Sequence, residues 1–309
     1  MRQARRIGRL GILAAGVGIG AAVAATAGTA SADPSTDPFS WIGGLDLGDL
    51  SVPAQAATLD IQISIDGMDL FSTAGNTATA TSGVGDIAIA IGNGADANAD
   101  DGAGMGHYAL ADGTDAAASA GGGDYDSAID IGNNTSDTDI TYAGDGDYDS
   151  AIMIGSNTGD VDGSDAGIGN DDTAIQIGSN TGDDDSVSAW EGNYDTTIQI
   201  GNLTGNGQGS AASFGNDNLA YSVGNQSVAN ADGGNDNIAY VLDPTGTYGS
   251  YADAAGGGYD LAAVLGVDHY GDFVTGAPYL YDIVTALGNE SGTAASTSGG
   301  FLADLLSLF

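Results

Sequence analysis

Residues 123–132 read GDYDSAIDIG, 146–155 GDYDSAIMIG, 169–178 GNDDTAIQIG and 192–201 GNYDTTIQIG. Their closing glycines, Gly132, Gly155, Gly178 and Gly201, stand 23 residues apart each time. A fixed period of this size marks a stacked repeat: one small unit that cannot bury its own apolar face, so that successive copies bury it for one another.

The register continues in both directions. Forward, GNDNLAYSVG closes at Gly224, GNDNIAYVLD at Asp243, GGYDLAAVLG at Gly266 and YDIVTALG at Gly288. Backward, GMGHYALADG closes at Gly113, GVGDIAIAIG at Gly92 and LDIQISID at Asp66. Within each copy apolar residues alternate, as in Ile129/Ile131, Ile152/Ile154, Ile175/Ile177 and Ile198/Ile200. Period two with β-branched residues predicts a strand with one buried face. The expected fold is all-β: a single-chain β-solenoid, roll or helix, of about eleven coils of 19–26 residues across 58–288.

The pairs of Ile are expected to point into the core, with Asp130, Met153, Gln176, Gln199 and Ser222 pointing out. Asp112, standing where an Ile would, predicts a locally irregular coil. A second column (Ala80, Ala120, Ala143, Ala166, Ala189, Ala212, Ala231, Ala254) predicts a second strand per coil with small inward residues. Asn134, Asn157 and Asn180 follow closing glycines and are expected to stack as an amide ladder.

Charge bounds the partners. Of 42 acidic residues only Glu191 and Glu290 are Glu, and the four basic residues, Arg2, Arg5, Arg6 and Arg9, all lie in the first ten positions. A basic start, an apolar run from Leu10 to Ala27 and Ala30-Ser31-Ala32 read as a secretory signal over 1–32, cleaved near Ala32. The expected location is secreted or at the cell surface or envelope. The remaining chain carries no Lys or Arg to neutralise phosphate, which excludes nucleic acid and anionic membranes as partners. Cations, and cell-envelope or host-surface components, are the expected ones. There is no Cys, hence no disulfide and no thiolate site.

Two flanking segments lie outside the repeat. Residues 33–57, with Phe39, Trp41, Ile42 and Leu45, read as an N-terminal apolar cap. Residues 289–309 read as a linker and an apolar C-terminal tail ending FLADLLSLF.

One acid recurs before each core strand: Asp60, Asp86, Asp126, Asp149, Asp172, Asp195, then Asn218, Asn237, Asp260 and Asp282. Like charges one strand spacing apart repel, so the column is either solvated or bridged by cations. Asp126, Asp149, Asp172 and Asp195 are the candidate Ca²⁺ ligands, because glycine-rich turns offer a hard cation carboxylate and carbonyl oxygens. No catalytic or cofactor-binding residue is nominated. His107 and His269 sit in no nucleophile or metal motif, and His107 reads as variation within the acid column. The expected function is a non-catalytic structural or adhesin-like surface protein. The alternative is a carbohydrate-active β-helix enzyme using paired Asp residues.

The segments GGGDYDSAI (121–129), GGNDNIAYV (233–241) and GNDDTAIQI (169–177) resemble the calcium-binding nonapeptide of RTX repeats. That resemblance implies Ca²⁺ held in the turns. GDIAIAIGNGADANA (85–99) resembles the head repeats of trimeric autotransporter adhesins. The whole pattern is similar to exported β-solenoid repeat proteins of actinobacteria, which implies export and a repeat fold and no activity.

Overall fold

A computed structural model describes residues 60–99, 104–134, 140–157, 163–178, 186–201, 209–224, 227–243, 250–255, 258–266, 273–275, 283–288 and 294–295. The signal segment, the N-terminal cap, nearly all of the C-terminal tail, Asn180, His269 and Asp282 lie outside the described residues.

The expected β-solenoid is the observed fold, and no described residue is helical. Its strands alternate between two sheets. Sheet A holds β1 (Ile61–Ile65), β2 (Met68–Ser72), β4 (Ile87–Ile91), β6 (Tyr108–Asp112), β8 (Ser127–Ile131), β10 (Ser150–Ile154), β12 (Thr173–Ile177), β14 (Thr196–Ile200), β16 (Leu219–Gly224), β18 (Ile238–Asp243), β20 (Leu261–Gly266) and β22 (Ile283–Gly288). Sheet B holds β3 (Thr79–Ser82), β5 (Asp96–Ala99), β7 (Ala117–Gly121), β9 (Ile140–Gly144), β11 (Gly163–Gly167), β13 (Ser186–Trp190), β15 (Ala211–Ser213), β17 (Val228–Asp232), β19 (Tyr251–Ala255), β21 (Phe273–Thr275) and β23 (Ala294–Ala295). From β4 onward each strand pairs in parallel with its equivalent in the next coil, so that Ile129, Ile152, Ile175 and Ile198 are direct neighbours. β23 pairs with β21, so strand pairing runs past residue 288 into the stretch read as linker.

The first copy of the repeat departs from this rule. β1 forms a hairpin with β2 and runs antiparallel to β4. LDIQISID is therefore a folded-back start to the stack, not a parallel coil.

The facing of sheet A is the reverse of the expected one. Ala128, Asp130, Ala151, Met153, Ala174, Gln176 and Gln199 are fully buried, while Ile131, Ile154, Ile177 and Ile200 are 36–41% exposed. The phase is set at the corner that precedes each strand. Asp126, Asp149, Asp172 and Asp195 are completely buried there, and side chains two and four residues further on share their face because strand residues alternate. The Ala column of sheet B is inward as expected, with Ala120, Ala143, Ala166, Ala189 and Ala212 buried.

Alanine thus meets alanine across the core. Small walls bring the sheets close enough for short polar side chains to cross between them. Asp130 Oδ2 accepts from the Ala117 amide at 2.9 Å. Thr197 Oγ1 donates to the Ser188 carbonyl at 2.7 Å, and Ser222 Oγ to that of Ser227 at 2.7 Å. These bonds offset the desolvation of Asp130, Thr197 and Ser222, whereas the amide groups of Gln176 and Gln199 are buried without a hydrogen bond. Asp112 faces outward and is exposed, so β6 pairs regularly with β4 and β8 and its coil has no break.

Each corner from sheet B to sheet A is five residues long in the four clear copies, and two of them have positive φ. In the last it is Glu191 (φ 58°) and Tyr194 (φ 62°); one coil earlier it is Ile168 (φ 57°) and Asp171 (φ 61°). A β-branched residue is strained in this region. Ile168→Asn, at an exposed station, is expected to raise stability by about 1 kcal/mol in urea titration. The amide ladder also runs along these corners: Asn170, Asn193 and Asn216 each donate Nδ2 to the next Asn Oδ1, ending at Asn235, all at 2.8 Å. The expected ladder at Asn134 and Asn157 is instead a buried pair. The Asn157 amide donates to Asn134 Oδ1 at 3.4 Å, and Asn134 Nδ2 turns to Asp130.

Candidate functional site

Two features repeat along the stack and carry chemistry: the outward face of sheet A and the buried acid column at the corners.

With Ala, Asp and Gln turned inward, the outward face of sheet A receives the Ile. Two rows run across β8, β10, β12 and β14, an inner one of Ile129, Ile152, Ile175 and Ile198 and an outer one of Ile131, Ile154, Ile177 and Ile200. Tyr221 and Tyr240 continue the inner row with rings stacked 5.1 Å apart, and Val223 and Leu242 continue the outer one. Ser127, Ser150, Thr173 and Thr196 border them. Among the described side chains from β4 to β20, Asp112 is the one charged residue on the outward face of these strands. Nine strands at about 4.8 Å spacing make a strip about 40 Å long and about 12 Å wide, on the order of 500 Å². That is at the upper end of the largest apolar patch on an ordinary monomer, and such patches mark interaction sites. Sheet B presents a mixed face instead: Asp96, Asn98, Ser119, Asp165, Ser188 and Asn230 are interspersed with Ile140, Tyr142, Trp190 and Tyr251, so apolar and charged positions alternate along it. Reading Ile as core hid this strip; the recurring Ala at 128, 151 and 174 was the signal that could have found it.

The acid column is built at the opposite extreme of polarity. Asp149, Asp172 and Asp195 donate their backbone N–H to the Oδ1 of the preceding acid, at 3.0, 3.0 and 2.9 Å. Asn218 and Asn237 follow the same pattern onto Asp195 and Asn218. The four candidate residues, Asp126, Asp149, Asp172 and Asp195, are therefore brought together as a stack, each one coil from the next. One oxygen of each is engaged by an amide, and Oδ2 of each is buried without a hydrogen bond. His107 occupies the same station between Asp86 and Asp126, with Nε2 2.6 Å from the Gly123 carbonyl and Nδ1 3.5 Å from Asp86 Oδ2.

Burial dominates the electrostatics. It pushes Asp149 up to about 8, helped by the charges of Asp172, Asp126 and Asp171 and opposed by the Asp172 amide. It lifts Asp195 to about 7 and Asp172 and Asp126 to about 6, with the next amide up the stack opposing it in each case. For His107 burial disfavours the cation, but the Asp86 and Gly123 contacts and the charges of Asp86 and Asp126 outweigh it and hold the ring at about 8.

These residues do not fit Ca²⁺. That ion takes about 6–8 oxygens from several directions. Here one carboxylate oxygen is spent on an amide and the other has no converging set: among the described residues, no three His, Asp or Glu side chains gather as metal ligands. The station also accepts Asn218, whose Nδ2 donates to the Gly234 carbonyl at 3.1 Å, so a nitrogen donor fills the place a ligand oxygen would need.

No protein-family model, curated protein or solved structure matches the chain.

Proposed function

We propose that this is an exported, non-catalytic structural or adhesin-like protein of the cell surface or envelope, holding an apolar surface with the outward face of sheet A. The observation that supports this reading is the asymmetry of the two faces. The Ile rows of β8 to β14 run uninterrupted by charge, whereas the outward face of sheet B is broken by Asp96 and Asp165 among its apolar residues. A chain with formal net charge −38 is kept soluble by self-repulsion, which lets it expose such a strip without collapsing onto its copies. Because the strip repeats coil by coil, contact accumulates along its length, as suits a spacer or adhesive element more than a localised cleft.

The test is retention on an alkyl-coated surface at high salt, where charge is screened. Ile154→Asp with Ile177→Asp, two exposed positions of the outer row, is expected to lower retention at least about tenfold, the equivalent of about 1.4 kcal/mol of contact. Ser188→Asp, on the outward face of sheet B, is expected to leave it unchanged. Equal loss in both would remove the strip from the reading. A doubling of mass in sedimentation that only the double Ile variant abolishes would assign the strip to contact between copies of the chain.

A further inference from the structure

We propose that Asp149, Asp172 and Asp195 fold as neutral carboxylic acids, each donating its Oδ2–H to a glycine carbonyl of the following coil. The stack would thus hold a row of proton-binding sites and loosen when those protons leave. Neighbouring stations along the column supply the geometry. At the equivalent station of the next coil, Asn218 Nδ2 donates to the Gly234 carbonyl, and lies 2.8 Å from the point where a Cβ on Gly215 would stand. Asp149 Oδ2 lies at the same 2.8 Å from the corresponding point on Gly146, and that point also crowds the carbonyl oxygen of Gly169. Asp172 Oδ2 faces the Gly192 carbonyl and Asp195 Oδ2 the Gly215 carbonyl in the same manner. His107 meets the Gly123 carbonyl through a ring nitrogen. Asn218, and His107 through an N–H, bring a donor to the next coil's carbonyl at this station, while Asn237 turns its Nδ2 to the Asp232 carbonyl at 3.5 Å; an ionised Asp would bring only an acceptor, and two buried acceptors face to face are costly.

The groups around the row reinforce this. Asp149 faces Asp126 and Asp172 along the column and Asp171 at its corner; Asp172 faces Asp171; Asp195 faces Asp172 and Asp217. All are acids, so no cation offsets an ionised member. Asp126 differs, with His107 Nε2 3.7 Å from its Oδ2. The direction of the pH effect follows from the raised values of about 8, 6 and 7. A proton held more tightly in the fold than in the unfolded chain stabilises fully below the unfolded carboxyl range. That stability is lost as pH rises through the folded values. Solvent-exposed acids are already ionised above about pH 5, so in the window from about pH 5 to about pH 8 the row dominates. His107, held at about 8, Asp165, raised to about 7 by burial and by Asp145, and Asp126, raised to about 6 by burial, lose stability in the same sense and leave a residual slope in the variant.

The test uses the full chain at constant ionic strength, wild type against D149N/D172N/D195N, with thermal unfolding followed by circular dichroism. The wild-type midpoint is expected to fall by on the order of 10 °C across the window. The triple variant, which places an Asn218-like donor in every site, is expected to match wild type near pH 5 and to lose less than half as much by pH 8. A variant that falls as steeply as wild type overturns the proposal. So does a wild type that EDTA destabilises while the variant is indifferent, since the row would then hold a cation. Should the variant not fold, the wild type is read directly: infrared spectra near pH 6 must show the C=O stretch of neutral carboxylic acid, lost at high pH, and its absence overturns the proposal as well.

Discussion

Gly169→Ala and Gly192→Ala are each expected to cost more than about 3 kcal/mol and to leave little folded protein at ordinary temperature. A Cβ on Gly169 would stand far inside the closest approach that real side chains make to the Gly192 carbonyl oxygen and to Asp172 Oδ2. One on Gly192 would do the same to the Gly215 carbonyl and Asp195 Oδ2. Both obstacles resist movement. The carbonyl belongs to the next coil's backbone, and the carboxyl is tied through Oδ1 to an amide. Relief would require the coils to separate locally, breaking the column above and below. Chemical denaturation of the two variants against wild type measures the loss. Gly75→Ala, with open space around its Cβ, serves as the control, because its cost is confined to the positive φ of 78°.

The second large effect separates core from surface. Ala151→Leu and Ala174→Leu put three extra carbons into a thin, closed interior where both residues have no exposure, and each is expected to destabilise by about 3 kcal/mol. Ile154→Thr, at a site 41% exposed on the outward row, keeps the β-branch and is expected to change stability by less than about 1 kcal/mol. If Ile were the core, as hydropathy alone suggests, the order would invert: Ile→Thr would be severe and Ala→Leu mild. Unfolding midpoints of the three variants in urea decide it.

The repeat architecture was legible because the glycine spacing is stated by the chain itself, and the Ala column of sheet B was placed correctly from its constancy. The orientation of sheet A was not. In SAIDI or TAIQI one face offers Ala with Asp or Gln and the other two Ile, so burial of the most apolar residues selects the wrong parity. What overrides it is steric and polar together. The facing wall is mostly Ala, with Thr141, Ser164 and Val187, leaving little room for Ile, and the corner acid must turn inward to receive the next coil's amide. Asp126, Ala128 and Asp130 have one parity, and asking where the corner amides find acceptors would have revealed it. The acid column was legible as a column. Its chemistry was not, because solvated, cation-bridged and neutral carboxyls share one sequence; only the carbonyl opposite Asn218 Nδ2 distinguishes them.

The hairpin of β1 and β2 bears on how the chain finds its place along its own stack. Four successive copies of nearly one sequence and one length can pair with each other a full repeat out of step, and every ladder hydrogen bond would still be made. Identical units carry no address. β1 and β2 are the sole described partners joined directly by a tight turn, and β1 meets β4 with opposite polarity, a pairing that no later described strand reproduces. Local closure of this kind forms fastest. It gives the stack a unique first position, an address at one end against which the register of the identical coils is fixed.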